Sequence, residues 1–329
     1  MTGGQVTNLW LESCLAPLAP YLAREDVTDI YINRPGELWL EALGGAAERH
    51  GAPHLTRPLL YRLARQVAAV SAQGINRANP ILSASLPDGE RIQIVMPPAT
   101  RGEIAMAIRK HAVSAIRLEA YAADGSFART TLTSAAHAER REPFSSPTSK
   151  LAEAPLILLR GAVRQRRNIL ISGGTATGKT TFLNALLAEV PLHERLILIE
   201  DTPELQAPHP NCVGLLASRS PLGEAQISAE DLLVATLRLR PDRIMLGEIR
   251  GSEAATFLRA VNTGHPGSIS TIHADSPSRA MDQLALLVLQ TGIRMNWEDV
   301  ITYVRKSLDF IVQLKRDAGG RSIVEIMSL

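Results

Sequence analysis

Lys179 and Thr180 close the run Gly173-Gly174-Thr175-Ala176-Thr177-Gly178-Lys179-Thr180, which matches the pattern G-x-x-x-x-G-K-[ST]. A strand pattern, Asn168 to Ser172, precedes it and a helical pattern, Lys179 to Val190, follows. That strand–turn–helix context is what separates a phosphate-binding run from a chance glycine-rich turn. Glycines let backbone N–H groups converge on phosphate oxygens, and the helix N-terminus adds partial positive charge. Lys179 is placed to reach the β- and γ-phosphates, the Thr180 hydroxyl to ligate Mg²⁺, and Thr181 to bond the α-phosphate. The run therefore predicts a site for ATP with Mg²⁺.

Two further strand ends carry acids. Glu200 and Asp201 follow the apolar run Leu196 to Ile199, and Glu248 follows Ile244 to Leu246. In a parallel sheet the site lies beyond the carboxyl ends of the strands, so these acids are expected to face the γ-phosphate. One would hold Mg²⁺ or its water and the other orient the attacking water; the residues leave the order open. His273 ends the run Ser268 to His273 and is placed to sense the γ-phosphate. His265 reads as part of a structural turn, and a histidine-pair metal site lacks a third ligand nearby in sequence. Arg238, Arg240 and Arg250 flank the third strand, some of them as structural ion pairs. Arg160, Arg164, Arg166 and Arg167 read as a solvated helix face, with acidic lipid as the alternative.

The elements that must position these groups fall into two regions. Residues 1–121 read as an α+β domain: a hairpin, Asp29–Ile32 and Glu37–Glu41, turns at Pro35-Gly36. A helix follows with Leu60, Leu63, Val67 and Val70 on one stripe. Two strands then bury Ile92, Ile94 and Met96, and Ile104, Met106 and Ile108. Period two sends Arg91 and Arg109 to the opposite face. Residues 122–150 change composition and read as a linker. Residues 151–329 alternate strand and helix, the α/β signature, and close with a hairpin around Ala318-Gly319-Gly320. The chain of 329 residues is long enough for two cores. Its net charge of +2 is too small to argue for tight independent nucleic-acid binding. Cys14 and Cys212 have no paired spacing, so neither a disulfide framework nor a zinc site is expected. The start of the chain lacks a secretory signal pattern, and the longest uncharged apolar stretch, Gln283 to Ile293, is too short to span a bilayer. A cytoplasmic protein is expected.

Four motifs occur in order: Gly173 through Thr181; Ile199-Glu200-Asp201-Thr202-Pro203-Glu204-Leu205; Arg240 through Arg250; and Gly264-His265-Pro266-Gly267-Ser268 through His273-Ala274. The set resembles the Walker A, Asp box, Walker B and His box of the type II/type IV secretion ATPase superfamily. Ile32-Asn33-Arg34-Pro35-Gly36-Glu37 and Gly89-Glu90-Arg91-Ile92-Gln93-Ile94 are similar to the hexameric traffic ATPase of type IV secretion and conjugation systems. The resemblance runs from about Asp26 to the C-terminus. It implies a RecA-like P-loop NTPase domain after the smaller α+β domain with its antiparallel sheet, and a homo-hexamer that binds ATP between the two. It implies Glu200 and Glu248 as catalytic acids, and Arg91 and Arg109 as contacts to the nucleotide, with Arg34 a weaker candidate. It further implies inner-membrane components of a secretion machine as partners, with peripheral membrane contact. The expected function is an ATP-driven motor for substrate translocation or pilus biogenesis; the alternative is a nucleotide-gated ring with little turnover.

Two features of these motifs have physical consequences. Ala176-Thr177 stands where the family usually has Gly-Ser; if position 176 requires a positive φ, alanine costs about 1–2 kcal/mol there. The Walker B strand ends in Gly247-Glu248 with no aspartate at 247, as is usual for the family it resembles, so metal-side carboxylate duty falls to Glu200, Asp201 or Glu248.

Overall fold

The computed structural model describes residues 3–42, 45–110, 116–135, 153–218, 222, 226–317 and 320–329. The chain forms two compact units: Met1–Val113 with Ala217–Ser228, and Ser114–Leu216 with Ala229–Leu329.

The first unit contains α1 (Gly3–Leu15), α2 (Ala19–Leu22), β1 (Val27–Ile32), β2 (Gly36–Ala42), β3 (Glu48–Ala52), α3 (Arg57–Val70), β4 (Ile81–Ser85), β5 (Arg91–Val95) and β6 (Ala105–Arg109). Its six strands form one antiparallel sheet in the order β3-β2-β1-β6-β5-β4. Ile92, Ile94, Met106 and Ile108 bury one face of that sheet in a core that includes Leu60, Leu63 and Val67 of α3. Val70, expected on the same stripe, is 38% exposed. Ala64 and Ala68 complete the buried face instead, because 3.6 residues per turn carry Val70 past its edge.

The second unit contains α4 (Leu118–Ala123), β7 (Thr131–Ser134), α5 (Glu153–Arg164), β8 (Ile169–Gly173), α6 (Lys179–Leu187), β9 (Leu196–Glu200), β10 (Cys212–Leu216), α7 (Ala229–Thr236), β11 (Arg243–Leu246), α8 (Glu253–Asn262), β12 (Ile269–Ile272), α9 (Pro277–Gln290), α10 (Trp297–Ser307), β13 (Phe310–Asp317) and β14 (Gly320–Ser328). The strand order is β10-β9-β11-β12-β8-β13-β14-β7. The first six run parallel, β14 turns back against β13, and β7 follows β14. β8, β9, β11 and β12 are buried along their whole length, as in a sheet covered on both faces.

The segment read as a linker from residue 122 is partly built into this sheet. α4 spans Leu118–Ala123, and β7 pairs with β14, where the Thr130 hydroxyl also donates to Ile323 O at 2.7 Å. Residues 136–152 and the hairpin positions 318–319 lie outside the described residues. α7 ends at Thr236, and Arg240 takes a left-handed φ of +52° immediately before Pro241. Among the described residues no helix is long and apolar enough to cross a membrane. Cys14 and Cys212 are both free thiols.

Candidate active site

The phosphate-loop run joins β8 to α6. Thr175 and Ala176 are exposed at its crest, Thr177 and Lys179 are buried, and Thr180 and Thr181 are half-buried in the first turn of α6. Gly178 caps the helix at φ +91°. Ala176 stands at φ +59°, in the left-handed region that disfavours a residue with a Cβ. The departure noted in the sequence therefore falls on a position that takes the costly conformation.

Lys179 Nζ donates to Gly173 O at 2.9 Å and Gly174 O at 3.0 Å, and lies 3.3 Å from His273 Nδ1. Burial lowers its pKa, with the Glu248 charge acting against that. On the other side of the imidazole, Nε2 lies 2.8 Å from Glu248 Oε1. An ammonium can only donate, so Nδ1 accepts and the ring proton sits on Nε2, close to Glu248 Oε1 but without hydrogen-bond geometry, which leaves that buried oxygen without a hydrogen bond. His273 is then neutral, as burial favours by lowering its pKa. Glu248 Oε2 accepts from Arg250 Nε at 2.7 Å, and Arg250 Nη1 reaches Asp201 Oδ2 at 3.2 Å. One polar chain thus runs Lys179, His273, Glu248, Arg250, Asp201 across the carboxyl ends of four parallel strands.

Backbone and hydroxyl contacts fix those strand ends. Thr271 Oγ1 donates to Gly247 O and Ser270 Oγ to Leu246 O, each at 2.8 Å, so β12 holds the segment that carries Glu248. Glu200 ends β9, where its Oε1 accepts the N–H groups of Glu204 at 2.8 Å and Leu205 at 2.7 Å. A Cβ at Gly247 would stand 3.4 Å from Glu200 Cγ, an ordinary contact that makes the two positions neighbours.

The sequence reading placed His273, Glu248 and Lys179 near one another, and the geometry links them directly. It left Arg250 unassigned, because no spacing rule tells a strand-end arginine from its neighbours; only the fold turns Arg250 onto Glu248 and Asp201. The basic cluster before β8 is largely spent on ion pairs. Arg160 pairs with Glu119 and Glu189, Arg166 with Glu194 and Asp242, and Arg167 with Asp309. In the first unit, Arg91 and Arg109 stand directly opposite one another on β5 and β6, and Arg109 Nε donates to Asp29 Oδ1 at 2.9 Å. Arg34 is engaged with Glu37 at 3.0 Å.

A glycine-rich turn between a buried parallel strand and a helix, with acids at the neighbouring strand ends, defines a P-loop nucleotide-hydrolysing domain. Residues 147–322 match the family described as type II/IV secretion system protein. Over 330 residues the chain is 38% identical to the type IV secretion system protein VirB11 of Bartonella henselae, covering 95% of this chain and 91% of that one. The type IV secretion system protein PtlH of Bordetella pertussis is 38% identical over 324 residues, covering 95% of this chain and 93% of that one. Among solved structures, the VirB11 ATPase of the Brucella suis type IV secretion system, in complex with sulphate, matches with a TM-score of 0.50. It is 37% identical, with 97% of each chain covered. The chain belongs to the type II/IV secretion ATPase family.

Proposed function

We propose that this protein is a hexameric motor that hydrolyses Mg-ATP to drive substrate translocation or pilus biogenesis in a type IV secretion system. The observation that carries the proposal is the close approach of Lys179 to His273, 3.3 Å, and of His273 to Glu248, 2.8 Å. It joins the group that meets the phosphates to the acid that meets the water.

Mg²⁺ suits the residues present. Among the described residues no three His, Cys, Asp or Glu side chains form a ready metal cage. Mg²⁺ needs none, since it is commonly held by one or two protein oxygens with phosphates and water. Thr180, Glu200 and Glu248 are the oxygen donors that would hold it, and when bound it neutralises charge on the transferred phosphate. The chain's own groups do the rest. Phosphate in the loop offers Lys179 stronger acceptors than the Gly173 and Gly174 carbonyls, so its ammonium turns from them and from His273 Nδ1. Glu248, oriented by Arg250 and His273, accepts the proton of the attacking water. Glu200, held by its two backbone N–H donors, is the second carboxylate of the site.

In this reading the first unit contributes Arg91 and Arg109, which close on the nucleotide and withdraw after hydrolysis. Six subunits form the ring, which works with inner-membrane components of the secretion machine and touches the membrane peripherally. The secretion-system names of the relatives support that assignment. The test is ATP turnover by Lys179→Ala and Glu248→Gln. Each is expected to lower the rate by about 100-fold or more. Lys179→Ala turning over at the normal rate would sink the proposal.

A further inference from the structure

The β13–β14 hairpin brings to the phosphate loop a pair of arginines that nothing above uses. Leu314 of β13 and Ile323 of β14 are buried in the core that also holds Phe182 and Leu183 of α6. Period two carries the same face outward to Arg316 and Arg321, which oppose one another directly in register. Both are exposed. Arg321 lies along the loop: a methyl group built on Gly178 would sit 3.2 Å from its Cδ and 3.7 Å from its Nε and Nη1.

This is a poor place for a bare cation. Gly178 is the N-cap of α6, whose N-terminus is itself partially positive. Like charges directly opposite across a sheet repel. The nearby Asp317 pairs with Arg129 at 3.0 Å, and among the described residues neither Arg316 nor Arg321 forms an ion pair. An anion held at this corner turns both repulsions into attraction.

Sheet order says which anion. β8, with the phosphate loop at its end, lies between β12 and β13. His273 follows β12 and Glu248 follows β11, so the γ-phosphate lies on that flank. The other end of a nucleotide in the loop then lies over β13 and β14. We propose that Arg321, reinforced by Arg316, binds the α-phosphate of ATP and positions the nucleotide along the loop. The inference rests on the ATP reading above.

The test compares Arg321→Met, which keeps the apolar stem, with Arg321→Lys, which keeps the charge, in the full chain with Mg²⁺. Arg321→Met is expected to weaken ATP and ADP alike by about tenfold or more, because ADP retains the α-phosphate. Arg321→Lys is expected to stay within about threefold of wild type, since lysine also binds phosphate as a point charge. Met binding as well as wild type overturns the inference, and so does Lys binding as weakly as Met, which would show that positive charge at this position does not hold the phosphate. Loss confined to ATP, with ADP unchanged, places Arg321 at the γ end and overturns it too. A wild type that binds no ATP is a separate result and removes the nucleotide reading itself.

Discussion

Ala176 holds a φ of +59° at the crest of the phosphate loop, with its side chain in solvent. The left-handed conformation costs a residue with a Cβ about 1–2 kcal/mol, and replacing alanine with glycine gives back about 0.4–1 kcal/mol through the freer unfolded chain. The net is in glycine's favour. Ala176→Gly is therefore expected to stabilise the protein by about 0.5–1 kcal/mol in urea unfolding. It is also expected to tighten ATP binding, since the loop no longer strains to stay open toward phosphate. Destabilisation by this change would mean that the loop relaxes out of the left-handed region in solution. The residue types alone state this only as a condition, if position 176 needs a positive φ; the backbone meets the condition. The pairing of Lys179 with His273 is a different case. Each was readable as a strand-end or loop residue facing phosphate, but 94 positions of chain separate them, and only the β12–β8 pairing joins them.

At the scale of elements, β11 depends on a buried ion pair. Arg243 is fully buried, and its Nε and Nη2 donate to Glu194 Oε2 at 2.6 Å and Oε1 at 3.0 Å, while Nη1 donates to Val163 O at 2.7 Å. Burial alone would raise the Glu194 pKa, but the hydrogen bonds and charge of Arg243 outweigh it and hold the carboxyl below its ordinary value. Removing one partner strands the other charge away from water. Glu194→Ala is expected to cost about 3–5 kcal/mol in denaturant unfolding. ATP turnover should fall with it, because β11 leads directly to Glu248. A loss below about 1 kcal/mol would show that water reaches Arg243 and that the pair does not hold the strand. Elements with long apolar runs, such as β8, β9 and β12, were legible because a strand covered on both faces must be apolar throughout. β7, β10, β3 and α10 were not read. β7 is exposed at the sheet edge, so the apolar pattern that marks a strand is weak there, and β10 is a short apolar run broken by Gly214 and only partly buried. β3, Glu48–Ala52, buries only its last residue.

For the molecule as a whole, the proposed ring makes turnover a matter of assembly. ATPase rate per subunit is expected to rise with protein concentration as hexamers appear, which sizing alongside the assay would follow. A specific rate that stays high while the protein is monomeric would show that one subunit completes its own site. At this scale the family was readable directly, because four motifs in fixed order carry their own spacing. The phosphate loop, the identity of the strand-end acids and the α/β alternation are legible in the order of residues, since each rests on local spacing and on period. The folded chain supplied the rest. It joined Lys179 to Glu248 through His273, turned Arg250 onto the acids, built residues 131–134 into the sheet, sent Ala217–Ser228 back into the first unit, and set Arg321 against Gly178. These depend on which strands lie side by side and in what register, and that is fixed by packing between segments far apart in the chain.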